Sequence, residues 1–306
     1  AVVYLHMFRG LLYGSYQKPR ELVWIFGCTI YLAMMAEGFL GYVLPYGQMS
    51  YWGAQVIISL FGAIPYIGES LELWVRGDYY ISGITVSRFF ALHVVALPLV
   101  LIALVFLHLV ALHEVGAGNP EGVDIEEHLD EDGIPLDSVP FFPYKVLNAL
   151  VAIGVFMTVF SIIMFFFPEG GGYFIEMANF QEANPLVTPD HIAPVWYYAP
   201  FYTMLRAIPD PLGGLIVMAS AVAIFFIVPW LDRSKVASIR YKGMFSKIAL
   251  TLFGVSFLTL GYLGTVGVTE IRKLVSIICT VIYFSYFLLM PIYTKYEKTK
   301  EVPERL

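Results

Sequence analysis

The sequence predicts an all-α protein that crosses a membrane several times. Of its 306 residues, 58% are hydrophobic and 14% are charged, and the mean hydropathy is +0.73. A soluble domain carries about 25% charged residues, so this composition argues against an ordinary soluble protein. Six apolar stretches each approach the roughly 20 residues that a helix needs to cross a bilayer; they lie at 22–44, 88–112, 146–167, 211–230, 246–266 and 274–294.

The segments around these stretches predict a helix bundle with ordered connections. Residues 1–12 are expected to be the end of a helix that starts before the sequence does, and residues 13–21 form a short polar turn. A long loop, 45–87, holds amphipathic pieces separated by proline and glycine. Residues 113–144 are acidic and are expected to face solvent, whereas 168–210 are rich in Pro, Gly and aromatic residues. We therefore predict the end of one transmembrane helix followed by six complete ones.

The distribution of positive charge predicts the orientation in the membrane. Cytoplasmic loops carry an excess of Lys and Arg. If the spans alternate, one side contains 9–21, 113–145, 231–247 and the C-terminus, and it holds 13 of the 18 Lys and Arg residues. This side is predicted to be cytoplasmic. The acids of 113–144 do not change that result, because Asp and Glu contribute little to the rule.

Both cysteines are expected to be core residues. Cys28 and Cys279 lie inside apolar runs, where a free cysteine behaves as a small hydrophobic residue. The pattern favours this interpretation over a disulfide or a metal site.

Three histidines on one apolar helix are the first candidates for chemistry, namely His93, His108 and His113. His93 and His108 are 15 residues apart, which corresponds to roughly 22 Å along a helix and to about 60° around it. This spacing suits two separate cofactors stacked across one membrane and not two ligands of one metal ion. Ionisable residues inside a membrane usually have a function. The alternative is a histidine that forms a hydrogen bond with a neighbouring helix.

A second helix offers a partner for this pair. His6 is predicted to lie on the same side of the membrane as His108, and two imidazoles from two helices suit an electron-transfer haem. Arg9, one turn further on, could pair with a haem propionate. Gly27 and Gly41, 14 residues apart on the next helix, would let a flat macrocycle approach the backbone. Close helix packing is the alternative explanation for these glycines.

Together with six longer motifs, these residues resemble cytochrome b of the ubiquinol–cytochrome c reductase (cytochrome bc1) complex. The motifs are GYVLPYGQMSYWGA at 41–54, IPYIG at 64–68, SRFFALH at 87–93, HEVGAGNP at 113–120, HIAPVWY at 191–197 and LRAIPDPLGG at 205–214. The resemblance covers essentially the whole chain. It implies a fold of eight transmembrane helices, of which this chain would hold the end of the second through the eighth. It also implies a haem-binding part at 1–112, a cytoplasmic loop at 113–145, and a part with the quinol site and the remaining helices at 146–306.

The resemblance assigns two b-type haems. His6 and His108 would ligate the haem near the cytoplasmic side, and His93 would be one ligand of the haem near the outer side. The partner of His93 is expected about 14 residues before His6, roughly 21 Å along a helix. Four further residues match haem-contacting positions of the family: Arg9, Arg88, Gly27 and Gly41.

The histidine spacing departs from the family pattern. The family usually places 14 residues between the two histidines, whereas His93 and His108 are 15 apart. We expect the extra residue to be absorbed as a π-bulge near Pro98.

The resemblance implies a quinol-oxidation site on the outer side, in which one residue is replaced. The family has a Pro-Glu-Trp-Tyr segment there, and this chain reads Pro194, Val195, Trp196, Tyr197. The missing carboxylate matters because it is a natural acceptor for a quinol proton. Glu37 lies in an apolar helix, where an ionisable group costs at least about 2.5–3.5 kcal/mol, and we expect it to replace the lost carboxylate. Four other residues are expected to line the pocket or contact its occupant: Phe39, Tyr42, Gly53 and Tyr202.

A quinone-reduction site is expected beside the cytoplasmic haem. His113 follows His108 by five residues, about 140° around the helix, and its match implies a ligand to quinone. The alternative is an interfacial histidine that caps the helix end. The acidic partner of the family is not evident, and either Lys145 or Asn148 lies near its position. His128 is expected to be exposed to solvent.

The implied function is electron transfer from ubiquinol, oxidised outside, to quinone, reduced at the cytoplasmic side, coupled to proton translocation. The implied partners are a Rieske iron–sulfur protein, cytochrome c1, a second copy of the complex and membrane lipid, with no nucleic acid. The expected location is a bacterial inner membrane.

A di-haem membrane anchor of another quinone-linked dehydrogenase would explain the histidines but not the ordered motifs. A photosynthetic-type relative usually divides the chain between the fourth and fifth helices, whereas residues 113–145 are continuous in this sequence. A proton-coupled transporter would use buried histidines as proton relays and would contain no haem.

Overall fold

The computed structural model describes residues 1–172 and 174–306. Within these residues the regular structure consists of eleven helices and four short 3₁₀ helices (Leu60–Ala63, Ile125–Glu127, Gly170–Gly172 and Met177–Phe180), and the only β-type pairings are isolated bridges between Gly47 and Glu182 and between Leu129 and Pro135. The predicted all-α class is confirmed. The helices are α1 (Val2–Tyr13), α2 (Glu21–Val43), α3 (Gln48–Ser59), α4 (Gly68–Arg76), α5 (Gly83–Val115), α6 (Phe141–Phe166), α7 (Ala199–Ala207), α8 (Pro211–Leu231), α9 (Met244–Gly264), α10 (Glu270–Leu288) and α11 (Met290–Tyr296).

Six of these helices are long and apolar enough to cross a membrane, namely α2, α5, α6, α8, α9 and α10. Each coincides with one of the six predicted spans. The amphipathic pieces expected within 45–87 are α3 and α4. In the most apolar 18-residue stretch of each helix, only 6% of the residues of α5 and 0% of those of α6 are buried. Their side chains therefore present an apolar surface of the kind that lipid covers.

The main core joins the two ends of the chain. It consists of buried aromatic and aliphatic side chains from α1, α2 and α7 to α11, with Phe253, Tyr283 and Phe287 almost fully buried at its centre. A smaller cluster joins the end of α2 to α3 and to the start of α5. Cys28 and Cys279 are buried and free, which confirms that they are core residues. α2 is the element common to both clusters.

The expected π-bulge is present in α5. Residues Leu92–Ala96 form a π-helical turn, in which the Leu97 N–H bonds back to the Leu92 carbonyl. A π turn holds one more residue than an α turn, so it absorbs the extra residue between His93 and His108. It ends just before Pro98, which has no N–H to donate. The prediction is confirmed.

The acidic loop is folded more tightly than the sequence suggested. Arg9 donates to the Gly118 carbonyl at 2.8 Å and Arg20 donates to the Gly116 carbonyl at 2.9 Å. The prediction that His128 faces solvent is wrong: the residue is half-buried and its Nδ1 has no solvent contact. The cause is that the loop folds back on itself, with the Leu136 N–H donating to the His128 carbonyl at 2.9 Å. The division of the chain at 112 and 145 stays a prediction.

Candidate functional site

Two histidines from different helices face each other near the predicted cytoplasmic side. The ring centroids of His6 on α1 and His108 on α5 are 6.4 Å apart, with the ring planes at 76°. Imidazole nitrogens bind transition metals at about 2.0–2.1 Å, so two such bonds in line place the ring centres about 6 Å apart. The observed separation therefore fits one metal ion between the rings. The His108 Nδ1 is buried and has no hydrogen-bond partner among the described residues.

α2 contributes a glycine against two of the three histidines of α5. A Cβ added at Gly27 would lie 3.4 Å from His108 Cε1, and one added at Gly41 would lie 2.4 Å from His93 Cε1. The second distance is shorter than real Cβ contacts allow. Only glycine lets α2 and the His93 ring approach this closely. The structure therefore places Gly27 beside His108 and Gly41 beside His93.

His93 is held by Glu37. Its Nδ1 lies 3.0 Å from the Glu37 carbonyl oxygen and 3.1 Å from the carboxylate Oε1. Histidines that bind metals commonly use their second ring nitrogen in such a contact, which fixes the ring and its tautomer. Nε2 is then the atom left for a metal. The sequence pointed to both residues but not to their contact, because this depends on how α2 and α5 are rotated against each other.

The two candidate propionate partners are exposed residues tied to nearby carbonyls. Arg88 donates to the Trp74 carbonyl at 2.9 Å, and Arg9 donates to Gly118. A guanidinium has five N–H donors, so each side chain retains donors for an anionic group.

The Pro194–Tyr197 segment lies against α2 beside Glu37. The Tyr4 hydroxyl donates to the Tyr197 carbonyl at 2.5 Å, and the Tyr198 hydroxyl donates to the Met35 carbonyl at 2.5 Å. A Cβ at Gly38 would lie 2.7 Å from the Tyr198 hydroxyl and 3.3 Å from that of Tyr197. The structure thus brings this segment to the residue next to Glu37. Burial raises the pKa of both Tyr197 and Tyr198.

The remaining outer-site candidates lie on three helices. Phe39 packs edge-on against Phe89 at 5.7 Å. Tyr202 is 3.5 Å from the Ile192 carbonyl, and the Arg206 guanidinium lies 4.9 Å above its ring. A Cβ at Gly53 would meet nothing within 4 Å. Phe39 and Tyr202 therefore border the segments named above, whereas Gly53 faces open space.

Two outer-site residues were missed by sequence reasoning. Tyr198 follows the Pro-Val-Trp-Tyr segment directly, and its aromatic character next to that motif could have indicated it. Glu176 lies in the loop before the motif, half-buried and with its Oε2 unpartnered among the described residues. No local pattern marks this position, because its burial comes from tertiary packing.

The predicted inner quinone residues lie on α5 and α6. His113, Lys145 and Asn148 are all exposed, and no hydrogen bond joins them in the described part of the chain. The role of His113 stays a prediction.

Comparison with known proteins gives a consistent result. Residues 1–200 match the family described as "Cytochrome b(N-terminal)/b6/petB", and residues 182–284 match "Cytochrome b(C-terminal)/b6/petD". The chain is 55% identical to cytochrome b of Allochromatium vinosum and 46% identical to that of Rickettsia bellii, over its full length and over 75% and 74% of the two relatives. A solved hyperthermophilic respiratory complex III contains a chain with a TM-score of 0.88 and 34% identity, over 97% of this chain and 75% of that one.

Proposed function

The chain belongs to the cytochrome b family, and on that premise we propose that it is the quinol-oxidising subunit of a ubiquinol–cytochrome c reductase. Cytochrome b is part of such complexes and transfers electrons in quinol oxidation. The protein is accordingly a multi-pass protein of the bacterial inner membrane. In the proposed function, ubiquinol is oxidised on the outer side and quinone is reduced on the cytoplasmic side, with protons moved across the membrane.

The separation of the His6 and His108 rings is the observation that carries this proposal. Its 6.4 Å fits a bis-histidine site, and such a site is coordinatively closed, which favours electron transfer. When bound, the two haems supply one-electron transfer. His6 and His108 would hold the cytoplasmic-side haem. His93, oriented by Glu37, would be one ligand of the outer haem.

At the outer site, we assign proton acceptance to Glu37. Its Oε2 is buried and unpartnered among the described residues, so this oxygen is available for a proton while Oε1 stays on His93. Pro194, Trp196 and Tyr197 would form the adjacent wall, with Val195 in place of the family glutamate. Tyr42, five residues after Glu37, would face the quinol ring together with Phe39, Gly53 and Tyr202.

The proposed partners follow from this assignment. A Rieske iron–sulfur protein would dock near residues 194–197 and 64–68 and take one electron. The other electron would reach a quinone near His113. Cytochrome c1, a second copy of the complex and membrane lipid would complete the assembly.

The test is a reduced-minus-oxidised spectrum of the purified complex. We expect b-type haem bands, and we expect His108→Leu to remove the band of the cytoplasmic-side haem. His128→Leu is the matched control, because His128 lies in the loop and should leave both bands unchanged. A wild-type sample without b-type bands would overturn the proposal and favour a transporter.

A further inference from the structure

We propose that Glu176 is a second proton acceptor of the outer quinol site and releases its proton to the outer surface past His191. The inference rests on the function proposed above and assigns a residue to it outside the known motifs. It concerns the loop between α6 and α7, which no sequence pattern had connected with the chemistry.

The loop is fixed against the junction of α2 and α3. The Asn179 Oδ1 accepts from the Ser50 N–H at 2.8 Å and from the Ser50 hydroxyl at 3.1 Å, and this hydroxyl lies 2.6 Å from the Tyr42 carbonyl. A Cβ at Gly47 would lie 2.1 Å from the Asn179 carbonyl oxygen, so the two backbones are in close contact. The Asn179 N–H donates to the Glu176 carbonyl at 2.9 Å. Glu176 therefore has a fixed position next to the end of α2.

The second half of the same loop repeats this attachment. The Gln48 N–H donates to the Gln181 carbonyl at 3.0 Å, and the Ala183 N–H donates to the Tyr46 carbonyl at 3.1 Å. These bonds join the loop to the α2–α3 junction at several consecutive residues. The position of Glu176 is thus a property of the fold and not of one side-chain contact.

The carboxylate of Glu176 is placed as a functional group would be. Its Oε2 is buried and has no hydrogen-bond partner among the described residues, whereas a structural carboxylate in such a place is normally paired. The titratable groups that interact with it are the Tyr42 phenol, from α2, and the His191 imidazole, from the loop before α7. Tyr42 in turn interacts with Tyr197. Glu176 thus lies within electrostatic reach of a proposed quinol-site residue and of an exposed histidine.

The environment suits proton exchange. Burial raises the pKa of Glu176, and the nearby His191 partly offsets this effect. A carboxyl group whose pKa lies closer to the working pH is a better general base and releases its proton more readily afterwards. The same features would be unfavourable in a group that only stabilises the fold.

The proposed step transfers a proton only. The O–H bond of a quinol hydroxyl breaks and an O–H bond on Glu176 forms, while the electrons leave by the route of the proposed function. The proton then passes to His191, which is exposed, and to water.

The test measures quinol-dependent cytochrome c reduction by the intact complex as a function of pH. Glu176→Gln should lower turnover by at least about tenfold. Because the base must be ionised, wild-type turnover falls as the pH drops through the Glu176 pKa, and the variant should lose this acid limb. Glu176→Asp keeps the carboxylate and should restore most of the rate. Glu182→Gln, an exposed glutamate in the same loop, is the control and should behave as wild type.

Two further measurements distinguish a failure of this inference from a failure of the proposed function. The b-type haem spectrum and the reduction of haem by quinol from the cytoplasmic side should be unchanged in Glu176→Gln. If the spectrum is intact but Glu176→Gln and Glu182→Gln show the same rate and pH profile, the role of Glu176 is refuted and the proposed function stands. Equal rates for Glu176→Asp and Glu176→Gln would also refute it, because a carboxylate at this position would then have no advantage over an amide.

Discussion

At the scale of single residues, Gly41 faces His93 so closely that any side chain at this position would displace the ring. A Cβ there would lie 2.4 Å from Cε1 and 2.9 Å from Nε2, the atom that would bind iron. The ring cannot retreat freely, because its Nδ1 is held by the carbonyl and the carboxylate of Glu37. Gly41 and Glu37 therefore fix the outer histidine from two sides.

We predict that Gly41→Val removes the outer haem and leaves the cytoplasmic-side haem in place. The branched side chain would overlap the His93 imidazole and turn Nε2 away, whereas His6 and His108 are remote from it. A redox titration of the b-type bands should then show one component where the wild type shows two. Gly154→Val, on α6 where a Cβ meets nothing within 4 Å, should retain both. Two components in Gly41→Val would show that the close approach is not needed.

Glu37 gives the second prediction at this scale. Glu37→Gln keeps the size of the side chain but removes the proton acceptor and the negative charge 3.1 Å from His93 Nδ1. Quinol turnover should fall by about 100-fold. The loss of the carboxylate beside His93 should also raise the reduction potential of the outer haem, by about 60 mV for each tenfold change in the equilibrium constant.

The two effects of Glu37→Gln have different meanings. An unchanged turnover and pH profile would refute the role of Glu37 as acceptor. A shifted potential alongside that result would show that the carboxylate acts only on His93. Turnover and equilibrium potential therefore need to be measured on the same preparation.

At the scale of elements, α2 organises both candidate sites because its opposite ends face different histidines of α5. Gly27 contacts His108, and Gly41 with Glu37 contacts His93. The spacing of 14 residues on α2 and of 15 on α5 would not match in two regular helices. The π turn at Leu92–Ala96 removes the difference, so the two helices stay in register.

The sequence predicted the long helices well because one physical signal, a run of apolar residues, determines them. The ends were less predictable. α5 starts at Gly83, five residues before the predicted span, since the Ser82 hydroxyl accepts from the Ile84 N–H and the Thr85 hydroxyl accepts from the Ser82 N–H. Such a capping box extends a helix into less apolar sequence.

The candidate site was predictable in its residues more than in its contacts. The pairing of His6 with His108 followed from their membrane side, and the structure brings them together. The contact between Glu37 and His93 depends on helix rotation, which a hydropathy pattern does not contain. Glu176 was missed for the same reason, since its burial arises where residues distant in sequence meet.

A buried ion pair fixes the loops that follow α1 and α8 and gives the prediction at this scale. Asp232 pairs with Lys242, and their side chains are 0% and 5% exposed. The Tyr16 hydroxyl and the Gln17 amide also donate to Asp232, at 2.7 and 2.9 Å. Asp232→Ala should cost about 3–5 kcal/mol of unfolding free energy, because it leaves a buried ammonium unpaired. Thermal unfolding of the purified complex, followed by circular dichroism, would measure the loss.

Two variants control this experiment. Adding Lys242→Met to Asp232→Ala should recover part of the stability, since no buried charge then remains. Asp137→Ala breaks an ion pair to Arg305 in which the arginine is about half exposed and should produce no measurable shift. A double variant that is less stable than Asp232→Ala would show that the lysine has another partner.

At the scale of the whole molecule, the predicted orientation divides the chain into two chemically different halves. The predicted outer half holds His93, Glu37 and the loop around Glu176. The predicted cytoplasmic half holds the His6 and His108 pair and the ion pair of Asp232. Charge that crosses the apolar interior as electrons avoids the cost of moving ions through it, and proton exchange is left to the two surfaces. This division requires that the long loops lie on opposite sides of the membrane.

We predict that the acidic loop is cytoplasmic and that the loop before α7 is external. Single cysteines introduced at Asp132 and at Leu186, both exposed, should react with a membrane-impermeant maleimide from opposite sides. In right-side-out vesicles only Leu186→Cys should be labelled, and in inverted vesicles only Asp132→Cys. The wild-type protein is the control, because Cys28 and Cys279 are buried and should stay unlabelled. Reversed labelling would overturn the orientation and move the proposed quinol-oxidation site to the cytoplasmic face. Labelling of both loops from the same side would show that α6, which connects them, does not cross the membrane.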